Sequence, residues 1–144
     1  MKIETRKVRN PADLERALAI RREVFVGEQG VAITEEVDGL DGAAEHYLLI
    51  ADNRPIATAR VRYSDIDTAK IERVAVTRTS RGKGLGSRIM NFIESSLVER
   101  GCRQAVLDSQ IGALGFYEKL GYKPVGQTFE EAGIPHIKMT KKLV

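Results

Sequence analysis

The chain holds a single cysteine, Cys102, and no run of apolar residues near the roughly 20 that span a bilayer. One cysteine cannot close a disulfide within the chain, so a cystine-stapled scaffold is excluded and a reducing cytoplasm is the expected compartment. Cys102 follows Gly101 at the start of an apparent strand, where a free thiol reads as packing rather than as a nucleophile. The opening "MKIETRKVRN" alternates charged and apolar residues and lacks the apolar centre of a signal peptide. Neither membrane association nor a metal site is expected. No basic stretch is interleaved with aromatics, so nucleic acid is not an expected partner. There is no repeat, linker or low-complexity tract. The 144 residues, 42% hydrophobic and 30% charged, read as one folded domain over 1–144 with room for a core of its own.

Charge is unevenly placed. Residues 28–45, "EQGVAITEEVDGLDGAAE", carry Glu28, Glu35, Glu36, Asp38, Asp41 and Glu45 with no Lys or Arg. This local −6 within a net +3 leaves +9 on the rest of the chain. Beside an anion site elsewhere, such a loop is expected to meet a cationic partner.

Residues 2–9 read as a strand. Asn10-Pro11 is a helix start, with Leu14, Ala17, Leu18, Val24 and Phe25 at helical spacing. Strands are expected at 45–51 and 55–64, joined by a turn at 52–55, and then at 70–76. Leu85, Ile89, Phe92, Ile93 and Leu97 form a helical stripe that ends at Gly101. "RQAVLDS" reads as a strand, "ALGFYEKLG" as a short helix, and "YKPVGQTF" and "HIKMTKKL" as the last strands. This order implies a mixed sheet with helices packed on it.

Between the strand at 70–76 and the stripe lies "RGKGLGS". It lacks the Gly-Lys-Ser/Thr ending of a Walker loop, and its first glycine comes too late after the strand for a dinucleotide fingerprint. What remains is R-x-x-G-x-G, Arg81 to Gly86, opening a helix. The amides of Gly82, Lys83, Gly84, Leu85, Gly86 and Ser87 would then face a pyrophosphate, favoured by the helix dipole by roughly 0.3–1 kcal/mol. Gly84 and Gly86 read as positions kept bare for close approach of phosphate.

"RVAVTRTSRGKGLGSRIM" resembles motif A of the GNAT superfamily of acetyl-coenzyme A dependent N-acetyltransferases, and "GFYEKLGYKPVG" resembles its motif B. "RREVFVGEQGV", "EEVDGLDGAAEH" and "FEEAGIPHIKM" are similar to the ElaA-type, YjcF-like branch. The resemblance implies an α+β fold: a mostly antiparallel, splayed sheet of about seven strands with helices on both faces. It also implies acetyl-CoA as acyl donor, with pantetheine along Val74, Ala75 and Val76 and the thioester near Phe116 and Tyr117. Tyr117 would be the acid toward the thiolate, and the Val76 amide the oxyanion donor. An amine of a small molecule or peptide would be the acceptor.

Glu72 is the expected base, because strand alternation would put it on the face of Val74 and Val76. His46, His136, and bulk water or an amine already deprotonated are the alternatives, and His46 is also placed with the acceptor. "EEVDGLD" further resembles the N-terminal signature of acyl-homoserine lactone synthases, without its tryptophan and with an R-x-x-G-x-G loop that those enzymes lack. It suggests a polar cluster of Arg22, Glu36, Asp38 and Asp41 beside the acceptor. A coenzyme A binding module without turnover is the rival class. A homodimer is compatible with such folds and is not legible in these residues.

Overall fold

The computed structural model describes residues 1–144. Seven strands form one sheet in the order β1-β2-β3-β4-β5-β7-β6. They are β1 (Ile3–Lys7), β2 (Glu45–Ala51), β3 (Arg54–Tyr63), β4 (Thr68–Val76), β5 (Gln104–Gln110), β6 (Lys123–Glu131) and β7 (Ile134–Lys142). Every neighbouring pair is antiparallel except β4–β5. That parallel pair is joined only from Thr68–Gln104 to Lys70–Val106. Beyond Lys70 the two strands part, and the sheet opens into a V.

Helix α1 (Pro11–Arg21) starts as its residues dictate: Asn10 caps it by accepting from the Asp13 amide at 2.8 Å, and Pro11 follows. It continues as a π-helix over Arg22–Glu28 and is followed by α2 (Ile33–Glu36). Helix α3 (Leu85–Arg100) ends at Gly101, whose φ of 101° lets the chain turn back so that Cys102 donates to the Leu97 carbonyl. Helix α4 (Leu114–Lys119) precedes β6.

The sheet has one helical layer on each face. Leu85, Ile89, Met90, Ile93 and Leu97 of α3 pack with Tyr47, Leu49, Ala57, Ala59, Val61, Ile71 and Leu107 in the main core. On the other face, Ala17, Ile20 and Val24 meet Leu48 and Ala75. Cys102 is buried in the main core, as its packing role requires. Strand alternation sends Thr58, Arg60 and Arg62 to the α1 face, opposite the alanines of β3.

One irregularity governs the site. Thr58 pairs with Ala75, but Arg60 pairs with Glu72, so β4 carries one residue more than β3 across this step. Arg73 takes up the excess at φ 54°, a left-handed conformation that costs a non-glycine residue about 1–3 kcal/mol. The bulge reverses the face of every later side chain in β4.

Candidate active site

The V is the mouth of a cleft of about 770 Å³ that runs between the helical layers. Val74, Ala75, Val76, Phe116 and Tyr117 line it together with Gly82, Gly84, Gly86 and Ser87. From the opposite side come Phe25, Val31, Glu35, Asp38, Glu131 and His136. Four separate stretches of sequence, 25–38, 74–87, 116–117 and 131–136, thus enclose one space.

The β4 lip presents bare main chain. The Thr77 amide donates to the Ile56 carbonyl at 2.9 Å, which fixes the phase of the β3–β4 ladder. By alternation the Val76 amide points the other way, into the gap. The Val76 carbonyl accepts from Arg81 Nε at 3.0 Å. An extended amide-bearing chain laid in the V would satisfy main-chain groups that no strand pairs.

At the end of this lip Gly82 (φ 78°) and Gly84 (φ 75°) adopt conformations that side chains rarely take, and they turn the chain into α3. No side chain caps α3, so its first amides stay available to an anion. The residues fit a pyrophosphate followed by a pantetheine arm. Leu85 contributes only its amide, because its side chain is buried in the main core. Lys83 is exposed.

Gly86 has a packing reason that the sequence did not reveal. A Cβ there would lie 3.1 and 3.2 Å from the Phe116 ring. Gly86→Ala gains about 0.5–1 kcal/mol of helix propensity but meets an overpacking cost of about 1–3 kcal/mol. We expect a net fall in melting temperature and weaker coenzyme A binding, as thermal melts and calorimetry would read. Unchanged values in both would mean that Phe116 moves freely.

Tyr117 is buried at the cleft, edge-on to Phe116 (centroids 4.9 Å, 74°) and to Tyr122 (5.9 Å, 77°). Burial pushes its phenol up from the ordinary range, so it stays protonated at neutral pH and keeps a proton to donate. Glu72 is placed otherwise than alternation implied, because the bulge at Arg73 puts it on the face opposite Val74 and Val76. There it accepts from Arg62 at 2.6 and 2.9 Å and from Arg60 at 3.1 Å. Burial works to raise its pKa, but the Arg62 hydrogen bonds and the charges of Arg60, Arg62 and Lys70 outweigh it and hold the carboxyl below its usual range. A carboxylate so held is a weak base.

The acidic loop is ordered by arginines, and Arg22 is not one of them. Arg22 stands on the outer side of its helix beside Glu15 (2.6 Å). Arg21, one turn beyond Ala17, points inward and is fully buried, bonded to Glu36 (2.6 Å) and Asp41 (2.8 Å). Arg60, also fully buried, holds Asp38 (2.8 Å), Asp41 (3.0 Å) and Glu72 (3.1 Å). Arg73 reaches Asp38 and the carbonyls of Glu35 and Glu36 at 3.2–3.3 Å. Glu28 grips Arg81 (2.6 Å), and Glu45 pairs with Lys7. Of the six carboxylates in residues 28–45, only Glu35 lacks an ion pair. His46 belongs to the same buried layer, its Nε2 at 3.0 Å from the Asp41 carbonyl. Arg21, Arg60 and Arg73 were not singled out in the sequence, although helical phase marks Arg21 and strand alternation marks Arg60.

Residues 13–143 match the acetyltransferase (GNAT) domain family. The chain belongs to that family. The uncharacterized N-acetyltransferase YjcF of Bacillus subtilis is 36% identical over 134 residues, covering 92% of this chain and 95% of that protein. The crystal structure of Escherichia coli ElaA superposes with a TM-score of 0.87 at 29% identity, covering 98% and 100% of the two chains. The fold recurs in a GNAT acetyltransferase from Elizabethkingia anophelis solved with acetyl-CoA bound (TM-score 0.70, 16% identity, 97% of each chain). The protein is thus a GNAT N-acetyltransferase that uses acetyl-CoA, of the branch its N-terminal and C-terminal signatures resemble. No helix of this chain is long and apolar enough to cross a membrane.

Proposed function

We propose that the protein transfers the acetyl group directly from acetyl-CoA to a cationic small-molecule or peptide amine bound in the same cleft. The observation that carries the direct route is the cleft itself. It is continuous from the α3 amino end to the acidic loop, and no thiol lines it. An amine entering from the side of Glu35 can therefore reach a thioester held at Val76. Once the bound ammonium has lost a proton, its nitrogen attacks the carbonyl carbon, and the oxygen takes the electron pair beside the Val76 amide. The carbon–sulfur bond then breaks, and the thiolate receives the Tyr117 proton. The Val76 amide and the Tyr117 hydroxyl are the two donors where negative charge develops.

The preference for a cation rests on a narrower base than the loop's composition suggested. Glu36, Asp38 and Asp41 are spent on arginines, whereas Glu35 and Glu131 are exposed carboxylates of the cleft without an ion pair. Glu35→Gln and Glu131→Gln should each raise KM for a polyamine by up to about five-fold, the range of an exposed charge pair, and leave KM for a neutral amine unchanged. Intersecting initial-rate lines in a thiol-release assay are expected for the ternary route; parallel lines would contradict it. Preferential turnover of neutral or acidic amines would overturn the cationic acceptor.

A further inference from the structure

We infer that His136 is the proton acceptor for the attacking amine. This deepens the transferase reading above and rests on it. His136 stands near the start of β7, opposite Gln110 of β5 and Phe129 of β6, and lines the cleft. The ring is largely buried and stacked on Phe129 (centroids 5.9 Å, 22°). Its Nδ1 lies 2.6 Å from the Ile134 carbonyl. A carbonyl can only accept, so Nδ1 carries the hydrogen and Nε2 keeps a lone pair in the neutral ring. Nε2 has no protein partner and is not sealed from solvent, since it is absent from the buried atoms that lack one. The result is a rigid imidazole with one fixed tautomer and one free basic nitrogen in the cleft.

The buried and half-buried competing groups are committed elsewhere. Glu72 is held by Arg60 and Arg62, and Lys70 and Asp108 hold each other at 3.2 Å. His46 is tied to Asp41 beneath the acidic loop. Glu35 and Glu131 are exposed carboxylates at the rim. The charged groups around His136 are Asp108 of β5, Lys138 of β7, and Glu130 and Glu131 of β6. Asp108 faces Lys138 in the ladder and Glu130 faces Pro135, so no charge stands directly across from the ring. In the step, the amine's nitrogen–carbon bond forms as its proton passes to Nε2. The carbon–sulfur bond breaks as the Tyr117 proton goes to the sulfur; the imidazolium then gives its proton to solvent and the Tyr117 phenolate takes one back.

The test uses the full chain, acetyl-CoA and spermidine as probe, with coenzyme A affinity measured alongside. His136→Gln should lower kcat by about 10²-fold or more and abolish the acid-side limb of the kcat/KM pH profile, with coenzyme A affinity retained. Added imidazole should restore activity to His136→Ala and not to wild type. Retained kcat and an unaltered acid limb in His136→Gln would overturn this inference and leave the transferase reading standing. No thiol release by wild type with spermidine or any other amine would overturn both. Should neither variant bind coenzyme A, nitrogen NMR of the wild-type ring decides. Hydrogen on Nδ1 supports the role, and hydrogen on Nε2 overturns it.

Discussion

Replacing Tyr117 with phenylalanine is expected to lower kcat by about 10²–10⁴-fold while leaving coenzyme A affinity intact. The substitution is close to a pure deletion of one proton. The ring that remains keeps its edge-on contacts with Phe116 and Tyr122, and those contacts hold α4 in the main core. No protein group loses a partner, because the hydroxyl is bonded to none. What disappears is a donor at the point where sulfur must leave as an anion. Burial raises the pKa of this phenol, so the wild-type side chain is fully protonated throughout the neutral range. A kcat within two-fold of wild type would reduce Tyr117 to an aromatic packing residue.

Replacing Arg60 with methionine is expected to cost about 3–5 kcal/mol of stability, the penalty for removing one partner of a buried ion pair. Arg60 lies inside the α1 face and touches three carboxylates, Asp38, Asp41 and Glu72. Methionine matches much of its length but leaves three part-buried carboxylates facing one another around a buried site. Arg62→Met is the control. Arg62 is about one third exposed (32%), and its loss should cost roughly 1 kcal/mol or less. Urea unfolding of both variants reads the difference, and equal losses would contradict the central place given to Arg60.

The same network sets a pH dependence. Arg60 hydrogen bonds hold Asp38 well below the usual carboxylate range. For Asp41 and Glu72, burial pulls upward but is outweighed by the arginines, so both are also lowered. Carboxyls depressed in the folded state add stability that is complete above their ordinary pKa, about 4, and is lost as pH falls through the folded values. Wild type should therefore lose stability as pH drops below about 4, and Arg60→Met should show a flatter acid profile.

Much of the architecture is legible in local chemistry. Asn10-Pro11 starts α1, the stripe from Leu85 to Leu97 builds α3, and Gly101 ends it. The R-x-x-G-x-G loop leads into α3, with Gly84 at its head. The misplacements share one cause, a side chain whose direction depends on partners distant in sequence. In "KIERVAV" the alternation lapses at Glu72-Arg73, but the three apolar residues that follow suit either face, so the pair alone does not place the bulge at Arg73 that turns Glu72 away from Val74. Arg21 and Arg22 are adjacent and identical in type. Only the phase set by Ala17 and Ile20 decides which enters the interior. The acidic loop looks like an open cation site because its arginine partners come from α1, β3 and β4.

The most direct measurement is a titration of the folded protein with coenzyme A, followed by backbone amide NMR. The expected result is saturable shifts at Gly82–Ser87 and at Val74 and Val76, with the remote strand β1 unmoved. Silence at those amides at millimolar ligand, in a protein whose spectrum is otherwise that of a folded chain, would contradict the site.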